Sequence, residues 1–248
     1  MGLFRKKIGN NNANTQRKGA KLVTVVEPKN IISEQFRTLR TNIEFAGASL
    51  EKLQVIMFTS AEISDGKTTV STNTAVTWAQ AGKNVLYVDA DMRRSTAQST
   101  FRVSNGHGLS TVLSSTEQPK DIVQKTFVEN LEVLTAGPTP PNPAELLNSK
   151  RMVSLITWMR NNYDIVVLDV PPIMAVSDAQ VLFPLIDGVV LVTMMGKTIK
   201  VAVKRTVEIL RLGKTKILGV VESRMDSKDD IGYGYGYGYG YDIDLKNK

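Results

Sequence analysis

The chain has 248 residues, 42% hydrophobic and 22% charged, which supplies apolar surface for one sizeable core and excludes wholesale disorder. Cysteine is absent and His107 is the single histidine, so disulfide frameworks, thiolate metal sites, iron–sulfur clusters and cysteine nucleophiles are excluded and a Ser-His-Asp triad is disfavoured. The net charge of +7 is concentrated at one end: residues 1–21 carry Arg5, Lys6, Lys7, Arg17, Lys18 and Lys21 and no acid, leaving the remainder close to neutral.

That basic, Asn-rich stretch reads as a disordered arm, suited to anionic lipid, to nucleic acid or to plain solvation. No apolar run reaches the ~18 residues of a membrane span. The arm lacks the apolar core of a secretory signal, so a soluble cytoplasmic chain is expected. Residues 31–46 carry Ile32, Phe36, Leu39 and Ile43 at helical spacing, with Ser33 as the expected N-cap. Short β-branched runs follow at Val55–Thr59, Val85–Val88, Leu131–Leu134, Ile165–Leu168, Val189–Thr193 and Ile217–Val221. Helical patterns lie between most of them, near 67–81, 149–162, 177–186 and 198–212. Continuous apolar strands separated by helices predict a mostly parallel sheet covered on both faces, a doubly wound three-layer α/β sandwich.

The first strand runs into Ser60-Ala61-Glu62-Ile63-Ser64-Asp65-Gly66-Lys67-Thr68-Thr69 and then a helix, the strand–loop–helix context of a P-loop. Loop N–H groups and the helix N-terminus would face phosphate oxygens. Lys67 would reach the β- and γ-phosphates and Thr68 would place its hydroxyl on Mg²⁺. Ala61 stands where the full motif asks for glycine. The second strand ends in Asp89-Ala90-Asp91-Met92-Arg93-Arg94 and the fourth in Asp169, followed by Val170-Pro171-Pro172. Carboxylates at the C-terminal ends of parallel strands sit on the rim where such sheets bind ligands, and there they suit Mg²⁺.

From residue 232 the chain alternates glycine and tyrosine to Tyr241, placing five of its seven tyrosines within ten residues. Glycine at every second position removes packing and raises the entropy lost on ordering, so residues 226–248 read as a mobile tail. Three units are expected: an arm at 1–21, a P-loop domain at 22–225 and the tail at 226–248.

The acidic Asp89-x-Asp91-x-Arg93 motif resembles the second acidic motif of bacterial tyrosine kinases, a branch of the P-loop ATPases related to the cell-division and partition ATPases. The resemblance covers about residues 30–241. It includes Glu34-x-x-Arg37-x-x-Arg40, Pro141-Asn142-Pro143-Ala144-Glu145-Leu146-Leu147, Asp169 and the tyrosine cluster. The chain looks like the cytoplasmic kinase of Gram-positive capsule and exopolysaccharide systems, in which kinase and membrane activator are separate chains.

The resemblance implies an ATP- and Mg²⁺-dependent protein-tyrosine kinase that autophosphorylates Tyr233, Tyr235, Tyr237, Tyr239 and Tyr241 and so regulates polysaccharide synthesis and export. Asp89, Asp91 and Lys67 would be catalytic. Ser64, Asp65, Gly66, Lys67, Thr68, Thr69 and Arg93 would hold the nucleotide, with Arg93 alternatively anchoring the acidic loop. Thr68, Asp89 and Asp169 would hold the metal. Glu34, Arg37 and Arg40 would form the subunit contact of a homo-oligomeric ring. The implied partners are a membrane-bound activator of the polysaccharide co-polymerase type and a cognate tyrosine phosphatase. The chain would sit at the inner face of the membrane through that activator, and no nucleic acid is expected. Two other readings are a spatial-organiser ATPase of the partition type and a non-catalytic nucleotide-binding adaptor. Where the family usually carries Pro-Gly, this chain has Ile63-Ser64, which predicts a strained cradle if Ser64 takes a positive φ. Where the family commonly has an Asn near the base, Glu222 and Ser223 follow Val221.

Overall fold

The computed structural model describes residues 18–223. A seven-stranded sheet forms its centre: β1 Val55–Ser60, β2 Val85–Asp89, β3 Gln124–Lys125, β4 Leu131–Leu134, β5 Ile165–Asp169, β6 Gly188–Met194 and β7 Ile217–Ser223. The spatial order is β3-β4-β2-β5-β1-β6-β7, and only β3 pairs antiparallel. The two-residue β3 carries no apolar run and was not expected; the other six lie where the sequence pattern places them.

Every residue of β1, β2 and β5 is buried because both faces of the sheet are covered. The period-2 alternation of strands sends Val55 and Met57 to one core, and Ile56 and Phe58 to the other. The longer helices are α1 Ile31–Gly47, α2 Lys67–Gln80, α3 Lys150–Asn162 and α4 Lys200–Leu212. Helices α1 and α2 cover the second core, where Trp78 is fully buried and its Nε1 donates to Glu44 at 2.9 Å. Helix α3 covers the first core, and its Trp158 packs edge-to-face on Tyr163.

Three local expectations are corrected. The N-cap of α1 is Asn30, whose side chain accepts from Ile32 N at 2.9 Å. Ser33 is buried inside the first turn instead, donating to the Glu27 carbonyl at 2.8 Å. The segment Ser177–Leu185 is a 3₁₀ helix with Pro184 inside it; proline lacks the N–H an α turn needs and crowds the carbonyl four residues back. Finally, part of the stretch read as an arm belongs to the body. Ala20 is buried with its N–H on Thr100 Oγ1 at 2.9 Å, and buried Asn73 of α2 donates to Lys21 O at 2.9 Å and accepts from Thr24 N at 3.1 Å. Residues 1–17, and the tail with its tyrosines, lie outside the described residues.

Asp187 pins the N-terminal end of β1, at the end of the strand opposite the phosphate loop. Its Oδ2 accepts from Gln54 N at 2.8 Å and Val55 N at 2.7 Å, and Arg160 grips both oxygens at 2.6 and 2.9 Å. Burial works against the charge, but Arg160 and the two amides hold the carboxyl below its ordinary value. Asp187→Ala strands two buried N–H groups and the guanidinium. A loss of about 3 kcal/mol in denaturant unfolding is expected, with nucleotide affinity unchanged.

Candidate active site at the strand ends

The loop between β1 and α2 turns tightly at two residues of positive φ, Ser64 at 67° and Gly66 at 84°. Gly66 is the N-cap of α2 and contributes no side chain there, so the first N–H groups of a 14-residue helix have no side-chain cap. Such an end is suited to an anion. The positive φ favours glycine at this position, and a Cβ there would crowd Ser223 Oγ at 3.0 Å.

Ser64 takes the backbone conformation expected to strain the cradle. For a non-glycine residue this costs about 1–2 kcal/mol. Ser64→Gly relieves that cost but gives back ~0.5–1 kcal/mol through a freer unfolded chain. A stability gain of no more than about 1.5 kcal/mol is therefore expected in urea titration.

Lys67, the first residue of α2, is buried. Its Nζ lies 2.6 Å from Asp169 Oδ1 and 3.3 Å from Thr68 Oγ1, while Thr68 Oγ1 donates to Asp169 Oδ2 at 2.7 Å. Residues 102 positions apart meet because β5 runs parallel beside β1: Asp169, the last residue of β5, pairs in register with Phe58, two residues before β1 ends and the phosphate loop begins. On its other side Asp169 is in register with Asp89 of β2, so two carboxylates stand on adjacent strand ends. Asp89 Oδ2 accepts from Thr96 N at 2.8 Å and Ala97 N at 3.0 Å, and Oδ1 from Asp91 N at 3.2 Å. Asp91, also buried, accepts from Arg94 N at 3.1 Å.

The electrostatics follow from three acids and one base, all buried. Burial, then the neighbouring Asp169, push Asp89 up to about 7 against the opposing amide bonds. Burial likewise raises Asp91, with Lys67 pulling the other way. Burial disfavours the Lys67 ammonium, but Asp169, Asp91 and Asp89 outweigh it and the pKa is raised. Beneath them Tyr87 is fully buried, its hydroxyl 3.1 Å from Ser71 Oγ, and burial and the two aspartates push it well above its ordinary value.

Lys67, Thr68, Asp89, Asp91 and Asp169 are thus brought together, with Gly66 and Thr69 at the start of α2. Asp65 and Arg93 have other partners. The buried Asp65 carboxylate accepts from Glu62 N at 2.9 Å and Thr198 Oγ1 at 2.9 Å, with Lys197 Nζ at 3.1 Å. Arg93 is held bidentately by buried Asp178 at 2.7 and 3.2 Å, the geometry of an anchor for the acidic loop. Asp178, Lys197 and Thr198 were missed in the sequence. The position of Lys197-Thr198 just beyond a parallel strand was the available signal; Asp178 offered none.

The Glu34, Arg37 and Arg40 set divides. Glu34 and Arg37 pair with each other at the surface, and Arg37 also donates to Pro28 O at 2.8 Å. Arg40 turns inward, donating to Thr77 O in the last turn of α2 at 2.8 Å. His107 is an exposed loop residue 3.1 Å from Glu117.

Among the described residues no group of three or more His, Cys, Asp or Glu side chains is arranged to hold a metal by itself. The set does fit Mg²⁺, which is usually held by one or two carboxylates or hydroxyls together with phosphate and water oxygens. Thr68 and Asp169, already 2.7 Å apart, are that kind of pair.

The parallel sheet, the uncapped α2 terminus and the Lys67–Asp169–Thr68 cluster define a nucleotide-binding P-loop domain. A family model described as an AAA domain matches residues 53–199. Tyrosine-protein kinase YwqD of Bacillus subtilis is 43% identical over 214 residues, covering 86% of this chain and 90% of that protein. The putative tyrosine-protein kinase CapB of Staphylococcus aureus is 41% identical over 207 residues, covering 84% and 90%. The solved kinase domain of Escherichia coli tyrosine kinase ETK matches with a TM-score of 0.80 at 34% identity, over 88% of this chain and 85% of that one. The chain belongs to the bacterial tyrosine-protein kinase family. No helix among the described residues is long and apolar enough to cross a membrane.

Proposed function

We propose that this kinase transfers the γ-phosphate of ATP to the tyrosines of its own C-terminal segment, Tyr233, Tyr235, Tyr237, Tyr239 and Tyr241. The observation that carries the reading is the register of Asp89 with Asp169 beside the buried Lys67. A metal-and-phosphate station and a second carboxylate stand one strand apart. A phenol of pKa about 10 is almost wholly protonated at neutral pH, so transfer needs a nearby acceptor for its proton. Asp89, pushed up to about 7, is poised for that. The phenol oxygen forms the new bond to the γ-phosphorus, the bond to the β–γ bridging oxygen breaks, ADP leaves, and the proton passes to Asp89. Lys67 exchanges Asp169 for the phosphates, and the N–H groups opening α2 orient them. Mg²⁺, held by Thr68 and Asp169, would neutralise charge on the phosphate oxygens.

Each phosphate adds roughly −1.5 to −2 charges to the tail, beside a site already lined by Asp89, Asp91 and Asp169. Like charges repel, so modified tails leave a neighbour's site and a ring held partly by tails loosens. The exposed Glu34–Arg37 face of α1 is the proposed ring contact; Arg40 supports it from inside by fixing α1 on α2. A membrane-bound activator and a tyrosine phosphatase would drive and reset the cycle at the inner face of the membrane, controlling capsule or exopolysaccharide synthesis. The test replaces the five tail tyrosines with Phe. That variant should bind ATP and form oligomers that ATP does not dissolve in light scattering; dissociation as in the wild type would transfer the switch to nucleotide binding itself.

A further inference from the structure

The phosphate loop is held from outside at Ile63 and Asp65, by groups from the far side of β1. Lys197, beyond the end of β6, donates to the Ile63 carbonyl and lies 3.1 Å from Asp65 Oδ1. The Thr198 hydroxyl donates to the same carboxylate oxygen at 2.9 Å while accepting from Met194 N at 2.7 Å. Ser223, the last residue of β7, lies 2.7 Å from the Asp65 carbonyl and 3.1 Å from Thr193 O. The Asp65 side chain has no exposed surface, so its charge serves these partners.

These bonds set the direction of the loop's N–H groups. A peptide unit is planar and trans, so the N–H of one residue points opposite to the carbonyl of the residue before it. Ser223 fixes the Asp65 carbonyl and thereby aims the Gly66 N–H the other way. Ser223 also stands 3.0 Å from where a Gly66 Cβ would be, closing that side of the loop. A loop containing a non-glycine residue at φ 67° would relax if released, and the clamp opposes that. Electrostatic preorganisation of this kind is worth most when donors do not have to reorient on binding.

We propose that Thr198, Lys197 and Ser223 are positioning residues for the nucleotide phosphates, acting through Asp65. This clamp also makes the end of β7, from which the chain continues toward the tyrosine cluster, part of the phosphate site's support. The proposal rests on the ATP-binding reading above. Its test is titration of the full-length protein with a fluorescent ADP analogue and Mg²⁺, together with steady-state kinetics in ATP. Thr198→Val keeps the shape and removes the hydroxyl. It should raise Kd and the KM for ATP about 10-fold, with kcat changed less than about 3-fold, and Thr198→Ser should restore both. Ser223→Ala should raise Kd about 5-fold. If Thr198→Val and Ser223→Ala both bind within twofold of the wild type, or if Thr198→Val lowers Tm alone, the clamp does not position phosphate. A wild-type protein that binds no nucleotide would overturn the kinase reading and this inference with it.

Discussion

Lys67→Met should reduce autophosphorylation by about 10³-fold or more, because it removes the buried ammonium placed to meet the transferring phosphate. The same change should also destabilise the protein. Lys67 is the counter-charge of Asp169 at 2.6 Å, with side chains 8% and 1% exposed. Deleting one partner of such a pair leaves an uncompensated buried charge, typically a loss of about 3–5 kcal/mol. Proton uptake by the stranded carboxylates moderates the loss, so it should be smaller at pH 6 than at pH 8. Adding Asp169→Asn should recover part of the stability and none of the activity. Denaturant unfolding at the two pH values, beside an initial-rate assay, reads all of this. An undiminished rate in Lys67→Met would remove Lys67 from the chemistry.

Asp89→Asn should separate stability from activity. Transfer should fall by about 10²–10⁴-fold with loss of the proton acceptor. The stability effect has a sign set by the raised pKa. Asp89 titrates near 3.8 unfolded and about 7 folded. Between those values the folded state holds more protons, so its contribution is fully present below pH ~4 and is lost as pH rises through about 7. The slope approaches 1.36 kcal/mol per pH unit for one such group. Asparagine does not titrate, so the wild type should lose stability relative to Asp89→Asn between pH 5 and pH 8. Asparagine offers only one acceptor oxygen where Asp89 accepts three N–H groups. The net gain at pH 8 should therefore be only about 1–2 kcal/mol. Parallel pH profiles of the two proteins would exclude a buried, proton-binding Asp89.

The parts of the fold legible in the sequence are those with the heaviest burial. β1, β2, β5 and β6 are continuous apolar runs because both their faces are covered, and α2 and α3 show themselves by where the runs stop. β3, with two residues, and the helices Ala97–Phe101 and Leu109–Ser114, each under two full turns, are too short for a periodic pattern to repeat. Pro184 was the visible warning against a regular helix at 177–186. At the cap of α1, Asn30 and Ser33 are both good capping residues; which one serves depends on Ser33 finding Glu27 O in a segment that precedes the helix.

The site divides in the same way. Lys67, Thr68, Asp89 and Asp169 were readable because each ends a strand or opens a helix on one edge of a parallel sheet, so topology alone brings them together. The partners of Asp65 and Arg93 were not. They lie 133 and 85 positions away, and a carboxylate in a phosphate loop looks the same in sequence whether it faces a ligand or a lysine behind it. The inward turn of Arg40 is equally invisible, since its spacing from Glu34 and Arg37 places all three on one helical face and only the packing of α1 on α2 selects which of them is drawn in.

The reaction proposed for this chain is phosphorylation of its own C-terminal tyrosines at the Lys67–Asp89–Asp169 site. Incubation of the purified full-length protein with ATP and Mg²⁺, with and without the cytoplasmic peptide of a candidate membrane activator, followed by phosphosite mapping, tests it most directly. Phosphate should appear on Tyr233, Tyr235, Tyr237, Tyr239 and Tyr241, increase with the activator peptide, and be absent from Lys67→Met. Wild-type protein that binds ATP yet carries no tail phosphate under either condition, or a Lys67→Met protein labelled as heavily as the wild type, would contradict it.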